Sequence, residues 1–165
     1  MKSNTKEIIK QLEKYKKAIQ KKTEKTIKEL TEYGADVMQG NLDNAQYSGS
    51  LKSSVKAKSK NTKGEVSLMG KDAGFIEFGT GQVHPDDHPQ AGEFGAVRGG
   101  YGKGHGKEMS WIFTDTQSGT AEYYGTAKWG VLFETEGNPA NRVVYDTGKK
   151  LEEVATEKAK EVFKK

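Results

Sequence analysis

Hydrophobic residues recur at steps of three and four between Thr5 and Met38: Ile8 and Ile9, Leu12, Tyr15, Ile19, Ile27, Leu30, Tyr33 and Val37. That spacing lays them on one stripe of a long helix, predicted over residues 5–39. Lysine and glutamate fill the other faces, with Glu13–Lys17 and Glu24–Lys28 at the favourable four-residue separation. No proline interrupts the pattern, and Gly40-Asn41 offers a stop. From Lys21 to Thr26 polar residues hold the stripe, so a bend or fraying is expected there.

The period then falls to two. Leu51, Val55 and Ala57 alternate with Lys52, Lys56 and Lys58, Asn61 to Gly64 reads as a turn, and Val66 and Leu68 carry the return strand. Phe75, Ile76 and Phe78 predict a further strand around Glu77, broken at Gly79-Thr80-Gly81 where glycine permits a sharp reversal. Trp111 to Phe113 and Trp129 to Phe133 predict two more strands. Helical spacing returns through Val144, Leu151, Val154 and Val162, giving an amphipathic helix over residues 140–163. The elements amount to one α+β domain: a long N-terminal helix, an antiparallel β-sheet over residues 50–137, and a C-terminal helix packed on the sheet.

Residues 79–108 show no regular period. They hold two of the three prolines, all three histidines and a dense run of glycines, and read as a long inserted loop. Such a loop is expected to meet neighbouring subunits, as is the hairpin turn. Its deletion is expected to leave a folded domain unable to assemble.

Composition bounds the functional classes. Leu, Ile, Val and Phe together number 29 of 165 residues, under the roughly one-fifth usual for globular chains, while the net charge is only +4. A periodic chain with so small a core is expected to complete itself against copies of itself. With no cysteine, a disulfide framework, thiolate metal site and thiol nucleophile are all excluded. No apolar run approaches the roughly 18 residues that span a bilayer, and the Lys-rich start lacks the apolar stretch of a signal peptide, so a soluble protein made in a cytoplasm is expected.

The order of parts resembles the HK-97 gene-product-ten-like family of tailed-phage proteins, known as putative tail-component, neck or tail-completion proteins. The likeness rests on three segments. Tyr47-Ser48-Gly49-Ser50-Leu51-Lys52-Ser53-Ser54 is similar to a Pro-x-Asp-Thr-Gly-x-Leu-x-x-Ser segment, without its proline and aspartate. Glu77-Phe78-Gly79-Thr80-Gly81 matches the family's Glu-Phe-Gly-Thr-Gly letter for letter. Gly137-Asn138-Pro139-Ala140-Asn141-Arg142-Val143-Val144 is similar to Gly-x-Pro-Ala-x-Pro-Phe-hydrophobic, with Arg142-Val143 in place of Pro-Phe. The resemblance implies a non-enzymatic structural protein of the virion. It would join the capsid connector to the tail as a ring of identical subunits, a hexamer or dodecamer, assembled in the host cytoplasm. Connector or adaptor proteins and tail-terminator or tail-tube proteins would be its neighbours.

Candidate chemistry is sparse. Gly106-Lys107 is followed by Glu108, and Tyr101 stands where a phosphate-binding loop needs its first glycine, so neither that motif nor a nucleotide cofactor is predicted. His84, Asp86, Asp87, His88 and His105 could ligate a metal, but Pro85 and Pro89 oppose the helix that would align the first two histidines. A solvated loop is the simpler reading, and neither a catalytic nor a metal residue is assigned. A metal-dependent hydrolase using His84 and His88 is the enzyme alternative. Glu77 within an apolar run is either an outward-facing strand residue or an intersubunit ion-pair partner. With Phe78, Gly79, Thr80, Gly81, Tyr123 and Tyr124 it forms the set of candidate oligomer-interface residues. Between Asn44 and Gly64 there is no acidic residue, and Lys52, Lys56, Lys58, Lys60 and Lys63 are candidates for DNA contact without sequence reading. A non-specific DNA-binding module is therefore the alternative function. Against it stands a solvated strand edge guarded by lysine.

Overall fold

The computed structural model describes residues 2–47, 51–82, 84–99, 108–114 and 120–164. The chain is α+β: helix α1 (Lys2–Asp43), strands β1 (Ser54–Lys60) and β2 (Lys63–Met69), short helix α2 (Ala73–Phe78), strands β3 (Trp111–Thr114), β4 (Glu122–Ala127) and β5 (Gly130–Thr135), and helix α3 (Val143–Lys164). At 1.5 Å per residue α1 is about 63 Å long. It passes through Lys21 to Thr26 without a break. Thr23, Thr26 and Thr31 each donate a hydroxyl hydrogen bond to the carbonyl four residues earlier, which lets Thr26 and Thr31 be buried in place of apolar residues. Gly40 does not stop the helix. Asn44 does, its backbone and side-chain nitrogens both donating to Gly40 O, at 3.2 and 2.8 Å.

β1 and β2 pair in register from Ser54↔Met69 to Lys60↔Lys63 around a two-residue turn in which Asn61 takes a left-handed φ of 54°. The inward residues Val55, Val66 and Leu68 lie on the C-terminal half of α1. α3 runs antiparallel to α1: Asn41 donates to Thr147 Oγ1 near one end, and Lys22 Nζ donates to Phe163 O at the other. Met38, Ile76 and Val143 form the core cluster where α1, α2 and α3 meet the hairpin.

The predicted strand at Phe75 to Phe78 is helix α2. An apolar run this short cannot be told from a buried helical turn by periodicity. Ile76 and Glu77, adjacent in sequence, are both buried, which an alternating half-exposed strand forbids. The strands form two sheets, the β1–β2 hairpin and a three-stranded antiparallel sheet ordered β3-β5-β4. β4 was not predicted. A bulge between Tyr123 and Gly125 breaks its alternation. Among the described residues no helix packs along the three-stranded sheet, and β3 and β4 each pair with β5 alone.

Residues 79–108 are more built than a loop. A 3-10 turn spans His84–Asp87, and Pro85, His88, Ala91 and Ala96 are buried. Deleting the segment would remove part of the interior, so the expected folded deletion variant is not supported. Residues 100–107, His105 among them, and residues 48–50 of the first resemblance segment lie outside the described residues. Among the described residues no helix is long and apolar enough to cross a membrane.

Candidate functional site

The two best-matching resemblance segments, about 185 Å apart at their nearest ends if the chain were drawn out at 3.3 Å per residue, lie against each other. Thr80 N donates to Asn138 O at 2.8 Å and Asn138 N donates to Thr80 Oγ1 at 2.9 Å. Asn141 N and Arg142 N donate to Ile76 O and Glu77 O at 3.0 and 3.1 Å. The fit leaves no space for side chains at the glycines. A Cβ on Gly79 would stand 2.5 Å from Asn138 O, one on Gly81 would collide with Glu136 O, and both glycines hold positive φ.

Glu77 is the centre of this junction. Its carboxylate accepts from Val144 N at 2.6 Å and Tyr145 N at 2.9 Å, the free amides in the first turn of α3. A buried carboxylate there also faces the positive end of the helix dipole. His88 Nε2 lies 3.0 Å from Glu77 Oε1, and His88 Nδ1 accepts from Gln90 N at 3.1 Å. Because Nδ1 is an acceptor, the hydrogen-bond network assigns the ring proton to Nε2, directed at the carboxylate. Phe78 meets the His88 ring edge-on at 4.5 Å and Tyr145 meets it at 5.5 Å, fixing its plane. A groove of about 450 Å³ opens beside the pair, walled by Leu68, Phe78, Phe94, Val144 and Tyr145.

This arrangement holds the fold together. Glu77 accepts three hydrogen bonds, two at Oε1 and one at Oε2, and both nitrogens of His88 are engaged. Glu77 is thus an internal helix cap and not an outward-facing residue. Gly79 and Gly81 are likewise buried, so these three interface candidates present nothing to a neighbour. Phe78 and Thr80 are half-buried around the same junction. The pairing of His84 with His88 does not occur: His84 faces Asp87 at 3.8 Å, Asp86 pairs with Arg98, and His88 is enclosed. Among the described residues no group of three or more histidines and carboxylates is arranged to hold a metal.

The basic candidates gather on the hairpin. Lys56, Lys58, Lys60 and Lys63 share the outer face, opposite Val55 and Val66, and all are exposed. Glu65 is the acidic residue among them, 3.0 Å from Lys58, whose hydrogen bond holds the Glu65 carboxyl below its ordinary value with help from Ser67. Lys52 precedes β1 and is exposed, its backbone nitrogen donating to Asp72.

Tyr123 and Tyr124 lie on β4, exposed by 68% and 56%, and Trp129 in the β4–β5 turn is exposed by 77%. The register puts Trp111, Phe113, Tyr123, Val131 and Phe133 on one face of the three-stranded sheet, where Tyr123 and Val131 are exposed and Trp111, Phe113 and Phe133 are half-buried. Trp129 was visible in the sequence only as a strand residue. Its exposure depends on its place in a turn that no periodicity marked. No protein-family model, curated protein or solved structure matches the chain.

Proposed function

We propose that this protein is a structural assembly unit of a tailed-phage virion, of the head–tail connector, neck or tail-completion type, which works as a closed ring of identical copies. The observation that carries the assembly reading is the three-stranded sheet, which exposes Tyr123, Tyr124, Ile112 and Val131, with Trp129 in the adjoining turn, and whose two edge strands pair on one side only among the described residues. An antiparallel sheet can leave one face in water, but that face is normally polar. Exposed edges and aromatics of this kind belong to surfaces that become interfaces. The small interior agrees: among the described residues the buried hydrophobic side chains are Met38, Ile76, Ala91, Ala96, Val143 and Val162. The phage assignment rests on the sequence resemblance, and the interlock of its two best-matching segments supplies a physical reason for them to occur together.

Native mass spectrometry tests the reading. A single closed stoichiometry, hexamer or dodecamer, is the expected result, lost in the Tyr123→Ser/Trp129→Ser variant. A wild-type monomer at every concentration contradicts it.

The grouping of four lysines on one hairpin face supports a second reading, non-specific contact with the DNA passing such a ring. Each phosphate neutralised contributes about 0.9 to the slope of log affinity against log salt. Replacing Lys56, Lys58 and Lys60 by glutamine should reduce that slope by about 2–3 units. An unchanged slope rules the contact out.

A further inference from the structure

Two cross-strand pairs in this chain set like charges directly opposite each other, one pair positive and one negative. Lys60 faces Lys63 across the turn of the β1–β2 hairpin, and Glu122 on β4 faces Glu134 on β5. Like charges so placed destabilise the sheet that carries them. The Glu134 carboxylate accepts from Ser110 Oγ at 2.7 Å, but among the described residues none of the four charged groups has an ion-pair partner.

The two pairs are opposite in shape as well as in sign. Lys60 and Lys63 flank Asn61-Thr62 at the tip of the hairpin, and all four residues are exposed. The carboxylate on the same hairpin face, Glu65, is taken up by Lys58 at 3.0 Å. Glu122, Glu134 and Glu136 line a cleft of about 510 Å³, and among the described residues no lysine or arginine lines it. His84, the other titratable group in its wall, faces Asp87 at 3.8 Å. A convex positive tip and a concave negative cleft thus lie on different parts of one chain.

The spacing matches too. Directly opposed residues on antiparallel strands hold their Cβ atoms roughly 4.5–5.5 Å apart in any sheet. Two ammonium groups at that separation can each meet one carboxylate of the other pair, which removes both repulsions in a single contact. A phosphate backbone would answer the lysines alone, and a basic segment of another protein the glutamates alone. A second copy of this chain answers both. We infer that the hairpin tip of one copy docks into the glutamate cleft of the next, Lys60 and Lys63 against Glu122 and Glu134. The contact joins two different surfaces, so it is head-to-tail, and a suitable rotation per copy closes it into a ring. Resting on the ring reading, this contact supplies the joint between neighbours and the direction in which copies follow one another. It is made by side chains at the tip and leaves the β1–β2 ladder as it stands.

Charge reversal followed by mixing tests the docking, read by native mass spectrometry of the full chain. Lys60→Glu/Lys63→Glu sets a negative tip against a negative cleft, and Glu122→Lys/Glu134→Lys sets a positive tip against a positive cleft. Each variant alone should stay monomeric at concentrations at least tenfold above that at which the wild type closes. Mixed in equal amounts they should regain the wild-type stoichiometry with the two variants in a one-to-one ratio, because every tip then meets a cleft of opposite sign. Circular dichroism matching the wild type establishes that each variant is folded. Should lysine beside Ser110 prevent folding, Glu122→Gln/Glu134→Gln keeps the side-chain shape and should raise the concentration for ring formation at least tenfold; an unchanged concentration overturns the docking. Rings formed by either reversed variant alone, or folded variants that stay monomeric when mixed, also overturn it. So does loss of DNA binding in Lys60→Glu/Lys63→Glu with the ring intact, which gives the tip to DNA. In all these cases the wild type still forms its ring. A wild type that is monomeric at every concentration instead overturns the ring reading itself, and the docking with it.

Discussion

At the residue scale the decisive group is Glu77. A carboxylate that is buried yet receives two backbone amides and an imidazole N–H stabilises only while all three are in place. Glu77→Ala leaves the first turn of α3 and His88 Nε2 without their acceptor, and should lower stability by about 3–5 kcal/mol, read as the shift of a urea unfolding midpoint. Glu77→Gln keeps the shape but must aim an amide NH2 at one of those donors, costing about 1–3 kcal/mol. A midpoint unchanged in both variants means the cap contributes nothing. Gly81→Ala tests the interlock from the other side. With φ at 93° and Glu136 O in the way, it should cost more than about 2 kcal/mol or prevent folding. Wild-type melting of that variant contradicts the close approach. The sequence held the letters of this site but not its wiring. Glu77 and Val144 are brought together by tertiary packing, and no local pattern records that a carboxylate will cap a helix 67 residues later.

Among the elements, long periodic segments were legible and short ones were not. The helical stripe of α1, the alternation of β1 and β2, and the spacing in α3 each extend over enough residues for one period to dominate. α2 and β4 are six residues apiece. In the first, burial of consecutive side chains overrides strand-like composition; in the second, a bulge erases the alternation. Even within α1 the side-chain pairing is not fixed by spacing. Glu24 accepts from Gln20 and Lys28 pairs with Glu32, in place of the Glu24–Lys28 pair expected from the sequence. The two halves of α1 should also differ energetically. Met38→Ala, in the covered half, should cost about 2–5 kcal/mol, whereas Leu12→Ala should change unfolding stability by less than about 0.5 kcal/mol. Equal costs at the two positions contradict the division. On the hairpin, Lys58 lowers the Glu65 titration, so the Glu65 contribution is present above the ordinary carboxylate value and is lost as pH falls below it through the lowered value of the folded state. In Lys58→Met, NMR titration should show the Glu65 carboxyl moving back up towards its ordinary value. An identical titration in the variant means the pair does not persist in solution.

At the scale of the whole molecule the chain combines a well-tied junction with open surfaces. The junction of α1, α2, α3 and the hairpin carries the interior, and the three-stranded sheet carries aromatic residues into solvent. Composition made the shortage of core residues legible, but not its location, because exposure of the sheet depends on which elements cover it. The proposed ring places that shortage at subunit contacts, where the edges of β3 and β4 and the exposed Tyr123, Tyr124 and Trp129 become buried. Amide hydrogen exchange, followed by mass spectrometry across a dilution series, measures this directly. Protection of β3 and β4 should rise steeply with protein concentration while protection of β1 and β2 stays constant. Exchange in β3 and β4 that is rapid and independent of concentration, in a protein that remains folded, contradicts assembly through the sheet.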